Sequence, residues 1–275
     1  VQKKAGPLFY LFLLLFLFLV MFPFLWQFLA SLKPPGELYG EHAFRITIDN
    51  PTLENYKRVF TQRPFDSYLW NSFVVAALTT VYTVAVASIA AYAIAWLHFP
   101  GKKVILGLVL AVSMFPQIAI ISPIFLFMQS TGLTNSYLGL IIPYTTIALP
   151  LAVWNLTIFF RKIPYDLAEA AKVDGASVWQ TLRKVFFPLA LPGVFTTAIL
   201  VFISAWNEFL FSLTINTEEQ MKTVPVGIAL FQGQFTFPWG EISAASVIVT
   251  IPLVIMVLLF QRRIISGLTS GAVKE

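Results

Sequence analysis

Residues 169–192 read EAAKVDGASVWQTLRKVFFPLALP. This is the longest segment of the chain that is unfit for a lipid bilayer yet carries regular amphipathic patterning, and apolar sequence flanks it on both sides. The spacing predicts two short helices and a turn. Asp166, two residues after Pro164, is placed to cap the first helix, which runs to about residue 173. Gly175 stands where a left-handed, helix-ending residue is needed, because glycine takes positive φ without a steric penalty. Ser177, with Gln180 three residues later, has the capping-box spacing and opens the second helix. Arg183 and Lys184 close that helix at the end where the dipole favours cations. Pro188 and Pro192 start the next apolar segment.

Composition explains why so little of the chain is polar. Of 275 residues, 58% are hydrophobic and 11% charged, with a mean hydropathy of +0.80; a soluble domain carries about 25% charged residues. The polar remainder is too small for a separate soluble domain. The absence of cysteine excludes disulfides and sulfur-ligated metal or iron–sulfur centres. His42 and His98 follow no metal-ligand spacing, so no metal site is expected. No GxSxG, HExxH or Walker sequence occurs, so no catalytic constellation is expected either. Despite a net charge of +5, nucleic acid is excluded as a partner, because the basic residues do not cluster with aromatics.

Six apolar runs are expected to span a membrane, at about 8–32, 70–97, 104–128, 137–160, 189–213 and 242–261. A secretory signal would have an apolar core of about 7–15 residues and a small-residue cleavage site. The first run is longer and lacks such a site, so it is read as a retained helix, kinked at Pro23. The outer loops are 33–66 and 214–240, and the loop of the opening paragraph occupies 161–188. Within the first outer loop, Leu53, Tyr56 and Phe60 give a short surface helix one apolar side. The side of the membrane follows from the basic residues. With both termini in the cytoplasm, the inner segments hold twelve: Lys3, Lys4, Lys102, Lys103, Arg161, Lys162, Lys172, Arg183, Lys184, Arg262, Arg263 and Lys274. The outer loops hold six: Lys33, Arg45, Lys57, Arg58, Arg63 and Lys222.

The wording of the central loop carries a resemblance. Glu169-Ala170-Ala171, three residues, Gly175, nine residues, Val185, one residue and Phe187-Pro188 resembles the EAA loop of permease subunits of bacterial ABC importers. Val185 and Phe187 replace the usual Ile and Leu and stay apolar, and Asp174-Gly175-Ala176 is typical of the sugar branch. Leu53-Glu54-Asn55-Tyr56, Phe99-Pro100-Gly101-Lys102 and Trp206-Asn207-Glu208 fit the same branch, and the tail 266–274 is similar to those of maltose- and trehalose-type permeases.

That resemblance implies an all-α integral membrane protein of the type I ABC importer permease fold. It would be one permease domain over residues 1–275, in the bacterial inner membrane. It implies a second permease subunit, two ATPase subunits that bind ATP and Mg, and an extracytoplasmic sugar-binding protein, with no cofactor on this chain. Glu169, Ala170, Ala171, Asp174, Gly175 and Ala176 would couple to the ATPase. Ser270, Gly271 and Ala272 would touch it from the tail, which could otherwise simply be frayed. Gln232, Gly233, Gln234 and Phe235 would reach the binding protein. The expected substrate is a disaccharide such as trehalose or maltose.

Glu208 is the one acidic residue inside a predicted span, and an intramembrane carboxylate is by default a functional hypothesis. With Asn207 it marks a translocation path or gate, or else a structural hydrogen bond between helices. Asn71, Gln117 and Asn155 are read as interhelical contacts. Phe237 and Trp239 either stack on a sugar or partner or belong to an aromatic belt, which is favoured for Trp239. The alternative functions are an ion-gradient-driven secondary transporter, which would want broken helices and midplane charge, and a membrane-embedded enzyme.

Overall fold

The computed structural model describes residues 6–40, 43–233 and 237–272, with 262–272 as backbone only. These residues form helices and no strand. They are α1 (Pro7–Leu32), α2 (Glu54–Thr61), α3 (Phe65–Trp96), α4 (Lys102–Val112), α5 (Gln117–Ser130), α6 (Tyr137–Arg161), α7 (Tyr165–Val173), α8 (Val178–Thr181), α9 (Phe187–Leu189), α10 (Leu191–Trp206), α11 (Leu210–Ile215), α12 (Val224–Ala229) and α13 (Trp239–Ala272). A π-helical turn, Leu182–Phe186, joins α8 to α9. Four helices are long and apolar enough to cross a membrane, or up to six spans if each of two bent pairs counts as one. The chain divides into two compact units, Val1–Asp66 with Gly227–Pro252 and Ser67–Val226 with Leu253–Glu275.

In the first unit, α1 is apolar on every side and nearly all its large side chains are exposed. A helix of that kind belongs in lipid or against another chain. It runs uninterrupted through Pro23 as one 26-residue element. Its end is tied to α2 by Asn55, whose Nδ2 donates to the carbonyls of Ser31 (2.9 Å) and Lys33 (2.8 Å). Gly240 lies so close to Asn55 that a Cβ there would stand 2.5 Å from Oδ1. The packed face of α2 is Asn55 and Val59; of the expected apolar side, Leu53 and Phe60 are 69% and 48% exposed, while Tyr56 is half-buried and its hydroxyl shares a hydrogen bond with Ser31 Oγ (2.7 Å). The buried Lys33 donates to the carbonyls of Ala43 (3.3 Å) and Arg45 (2.5 Å), fixing the loop that follows α1.

The second unit is built on α6, the 25-residue helix that keeps its continuity through Pro143 and Pro150. Its buried residues Ala152, Val153, Leu156 and Phe160 pack with α3, α4 and α10 in one core. α10 approaches α6 closely at Gly193, where a Cβ would lie 2.2 Å from the Phe159 ring. Small residues admit such approach between membrane helices. At the opposite end, Asn71 is fully bonded: Nδ2 donates to the carbonyls of Gln220 (2.7 Å) and Lys222 (2.9 Å), and Oδ1 accepts from the Tyr137 hydroxyl (2.9 Å).

Two expected spans are not straight. The third breaks into α4 and α5, which meet at 91°. Pro116 caps α5 in an extended conformation, and with no N–H it cannot continue the helix from α4. With 11 and 14 residues, the halves are about 16 and 21 Å long at 1.5 Å per residue, each short of a hydrocarbon core of about 30 Å. The fifth expected span, 189–213, begins instead at Leu191 and ends at Trp206, followed by a separate α11. The sixth runs past its expected end, as α13 continues to Ala272.

Candidate functional site

The central loop folds as its spacing predicts at two points. Gly175 has φ +74°, and the Ala176 amide bonds the Ala171 carbonyl (2.9 Å) while that of Gly175 bonds Lys172 (3.1 Å). This paired closure satisfies the last carbonyls of α7 and needs a left-handed residue at the turn. Ser177 then caps α8: its Oγ accepts from the Gln180 amide (3.3 Å), and Gln180 Oε1 accepts from the Ser177 amide (2.8 Å).

Two local expectations are corrected. Asp166 lies in the first turn of α7 and makes no capping bond, since Pro164 occupies the cap position. Arg183 and Lys184 do not end the second helix, because they sit inside the π turn, which leads on into α9. Pro188 has no N–H to donate, and its ring needs room beside the preceding turn, which the wider π turn supplies. The sharp bend, 82°, comes afterwards at Ala190.

The π turn directs Phe186 into the bundle. Its ring is 0% exposed and meets Trp96 (4.9 Å), Tyr92 (5.0 Å) and Phe160 (6.0 Å) edge-on. Each such contact contributes about 0.5–1.5 kcal/mol beyond burial. Trp96 in turn stacks on Tyr165 at the start of α7 (5.8 Å) and donates from Nε1 to the Phe160 carbonyl (2.9 Å). Both ends of the loop are therefore rooted in the ends of α3 and α6. Sequence reasoning missed this root, since aromatic residues distributed over 92–186 carry no local signal.

The outward side of the loop holds Glu169, Ala170, Asp174 and Gly175, together with Val173 (87% exposed), Val178 and Trp179. Ala176 is half-buried. Ala171 is only 8% exposed and packs inside the chain, so of the expected coupling residues it is the one withdrawn from the surface. Glu169 hydrogen-bonds the Tyr165 phenol one turn earlier, and this bond and its charge raise the phenol's pKa.

A second constellation surrounds the break after α10. Glu208 lies in that break and not within a helix. Its Oε1 accepts from the Phe211 amide (2.9 Å) and Oε2 from the Ser212 amide (3.2 Å). Helix starts leave amides unpaired and carry partial positive charge, so a carboxylate fits there. Within its own segment the carboxylate thus caps the next helix, and the Tyr144 side chain of α6 interacts with it across the bundle. Asn207 closes α10, with Nδ2 donating to the Ile203 carbonyl (2.8 Å). Glu208, Asn207, Gln117, Tyr144 and Ser204 line a cleft of about 310 Å³. A neighbouring cleft of about 350 Å³ shares Gln117, Ile147 and Ser204 and reaches Val112, Ser113 and Phe115. The two helix breaks thus border adjoining hollows, where irregular backbone is tolerated at membrane depth.

The other expected sites are only partly described. Gln232 and Gly233 are exposed, next to the buried Phe231, while Gln234 and Phe235 lie outside the described residues. Ser270, Gly271 and Ala272 form the helical end of α13, described as backbone only. Phe237 and Trp239 stack on each other (5.7 Å), and Tyr39 donates to the Phe237 carbonyl (2.6 Å).

Long apolar helices, bent spans and one amphipathic loop rooted in the bundle define a multi-pass helical membrane protein. The chain belongs to the family of binding-protein-dependent transport system inner membrane components, which it matches over residues 83–270. It is 47% identical over 252 residues to the trehalose transport system permease protein SugB of Mycobacterium tuberculosis, covering 91% of each chain. It is 50% identical over 226 residues to the trehalose/maltose transport system permease protein MalG of Thermococcus litoralis, covering 81% of each. Its fold matches a chain of a bacterial ABC transporter involved in the import of the acidic polysaccharide alginate, with TM-score 0.80 at 20% identity over 95% of this chain and 99% of that one.

Proposed function

We propose that this chain is one membrane half of an ATP-driven sugar importer and that its 161–188 loop transmits the motion of a partner ATPase to the spans. The observation that carries the reading is the loop itself. Glu169, Ala170, Asp174 and Gly175 stand exposed beside exposed apolar side chains, while Phe186 and Tyr165 tie the loop to α3 and α6. An apolar surface on a polar loop calls for a protein partner. Six spans at the apolar runs of the sequence, with 161–188 left outside the membrane, would put both termini on one side; the twelve-to-six distribution of basic residues favours the cytoplasm for that side, where ATP is available.

On this reading the chain pairs with a second permease and two ATPase subunits, which bind ATP and Mg, and receives its substrate from an extracytoplasmic binding protein. A solved alginate transporter of this fold is in complex with a periplasmic protein bound to an alginate pentasaccharide, which supports the last partner. The relatives' names favour a disaccharide, trehalose or maltose, as substrate. The break at residues 207–209 is a feature a gradient-driven transporter would also use, but the family match weighs against that alternative.

The test is purification of the tagged chain from membranes in mild detergent, with ATPase activity assayed with and without the binding protein. A second permease and an ATPase are expected to co-purify, and Gly175→Pro and Glu169→Lys to abolish stimulation by the binding protein. A chain that purifies alone, takes up sugar under an imposed proton or sodium gradient and ignores both substitutions would overturn the proposal.

A further inference from the structure

We infer that a basic cleft at the ends of α3 and α6 binds the phosphate headgroup of an anionic phospholipid. The cleft, about 360 Å³, is lined by Trp96, His98, Lys102, Arg161, Ile163 and Tyr165, with Ala95 beside them. Two cationic residues and a histidine are among its lining residues and no carboxylate is; Glu169 stands behind the lining, bonded to the Tyr165 phenol.

The cations are not satisfied within the chain. Among the described residues neither Lys102 nor Arg161 forms an ion pair. The Lys102 ammonium reaches the Leu97 carbonyl only at 3.5 Å, which leaves most of its donor capacity free. Lys102 is also the first residue of α4, so the positive end of that helix lies at the same place. A guanidinium and an ammonium on the lining of one cleft suit a phosphate, which accepts charge-assisted bonds from both.

Position selects a lipid over a soluble anion. Trp96 and Arg161 are the last residues of two long apolar helices, so the cleft sits where a bilayer's headgroups begin. Its lining is mixed: Ala95, Ile163 and the stacked rings of Trp96 and Tyr165 offer apolar surface next to the charges. That pairing matches a phosphate with a glycerol backbone behind it. Basic clefts between span ends are suited to anionic headgroups. The occupant would bridge the ends of α3 and α6 to the start of α7 and so brace the root of the loop. The inference rests on the proposed topology only for which leaflet supplies the lipid.

Native mass spectrometry of the full chain, purified and delipidated in detergent, tests this without any transport assay. Phosphatidylglycerol is expected to be retained, and phosphatidylcholine and inorganic phosphate not. Lys102→Gln with Arg161→Gln should weaken phosphatidylglycerol binding at least about 25-fold, because each substitution removes a charge-assisted hydrogen bond to the phosphate. Lys103→Gln with Lys162→Gln, which removes the same charge outside the cleft lining, should change it less than about twofold, because in detergent there is no bilayer surface potential to meet and exposed charges are screened. Circular dichroism checks the fold of each variant, and Lys102→Gln alone gives the comparison if the double variant does not fold. Equal losses in both pairs would reduce the effect to diffuse surface charge and overturn the inference. Competition by inorganic phosphate as strong as that by the lipid would make this a free-anion site and overturn it equally.

Discussion

Glu208 shows how a carboxylate can be kept at membrane depth. Both its oxygens accept backbone amides at the start of α11, so its charge is met by donors the helix must satisfy anyway. It also faces the cleft shared with Asn207, Gln117 and Ser204. The two roles separate by substitution. Glu208→Ala removes the cap and is expected to destabilise the chain by about 1 kcal/mol, whereas Glu208→Gln keeps one acceptor and loses less. Thermal unfolding in detergent measures both. If Glu208→Gln melts like the parent yet sugar uptake falls severalfold, the carboxylate serves the path; if uptake is unchanged, its role ends at the cap. A residue list could flag this carboxylate as out of place, because burial of charge is unfavourable anywhere. The amides it caps were not legible, since they lie three and four residues on and become available only because the helix breaks.

At the scale of elements, what a sequence reveals depends on how local the cause is. The turn at Gly175 and the capping box at Ser177 were legible because cause and effect lie within four residues. The 91° bend at Pro116 and the continuity of α6 through Pro143 and Pro150 were not, because proline permits a break and packing decides whether it occurs. The π turn belongs to the same class. It inserts one residue's worth of rotation ahead of Phe186, about 100° on a helix of 3.6 residues per turn. Deleting the exposed Arg183 would restore an ordinary helix and turn α8 by that angle relative to Phe186, carrying the buried Thr181 and Leu182 off the core. Such a deletion is expected to leave the chain in the membrane and to abolish ATPase stimulation by the binding protein. Arg183→Ala, which keeps the register, should retain most of it. If the deletion were as active as Arg183→Ala, the rigid root would not be what transmits motion.

At the scale of the whole molecule, the proposed function requires fixed contact surfaces for the partner proteins. The loop of 161–188 is fixed by aromatic packing from within. The described residues that flank the expected binding-protein contact are equally fixed. Phe231 is buried, edge-on to Phe65 (6.1 Å) and under the guanidinium of Arg63 (5.2 Å), and Gly240 is pressed against Asn55. Between these anchors, Gln232 and Gly233 are exposed and make no contribution to the core. Deletion of residues 232–234 is therefore expected to leave stability and co-purification of the partners unchanged while lowering sugar uptake at least tenfold. The loss should be accompanied by weaker stimulation of the ATPase by the binding protein, because the missing residues would reach that protein and not the ATPase. Uptake equal to that of the parent chain would remove these residues from the binding-protein contact. Loss of the co-purifying subunits would instead mean that the loop is part of assembly, and that its anchored base serves the second permease.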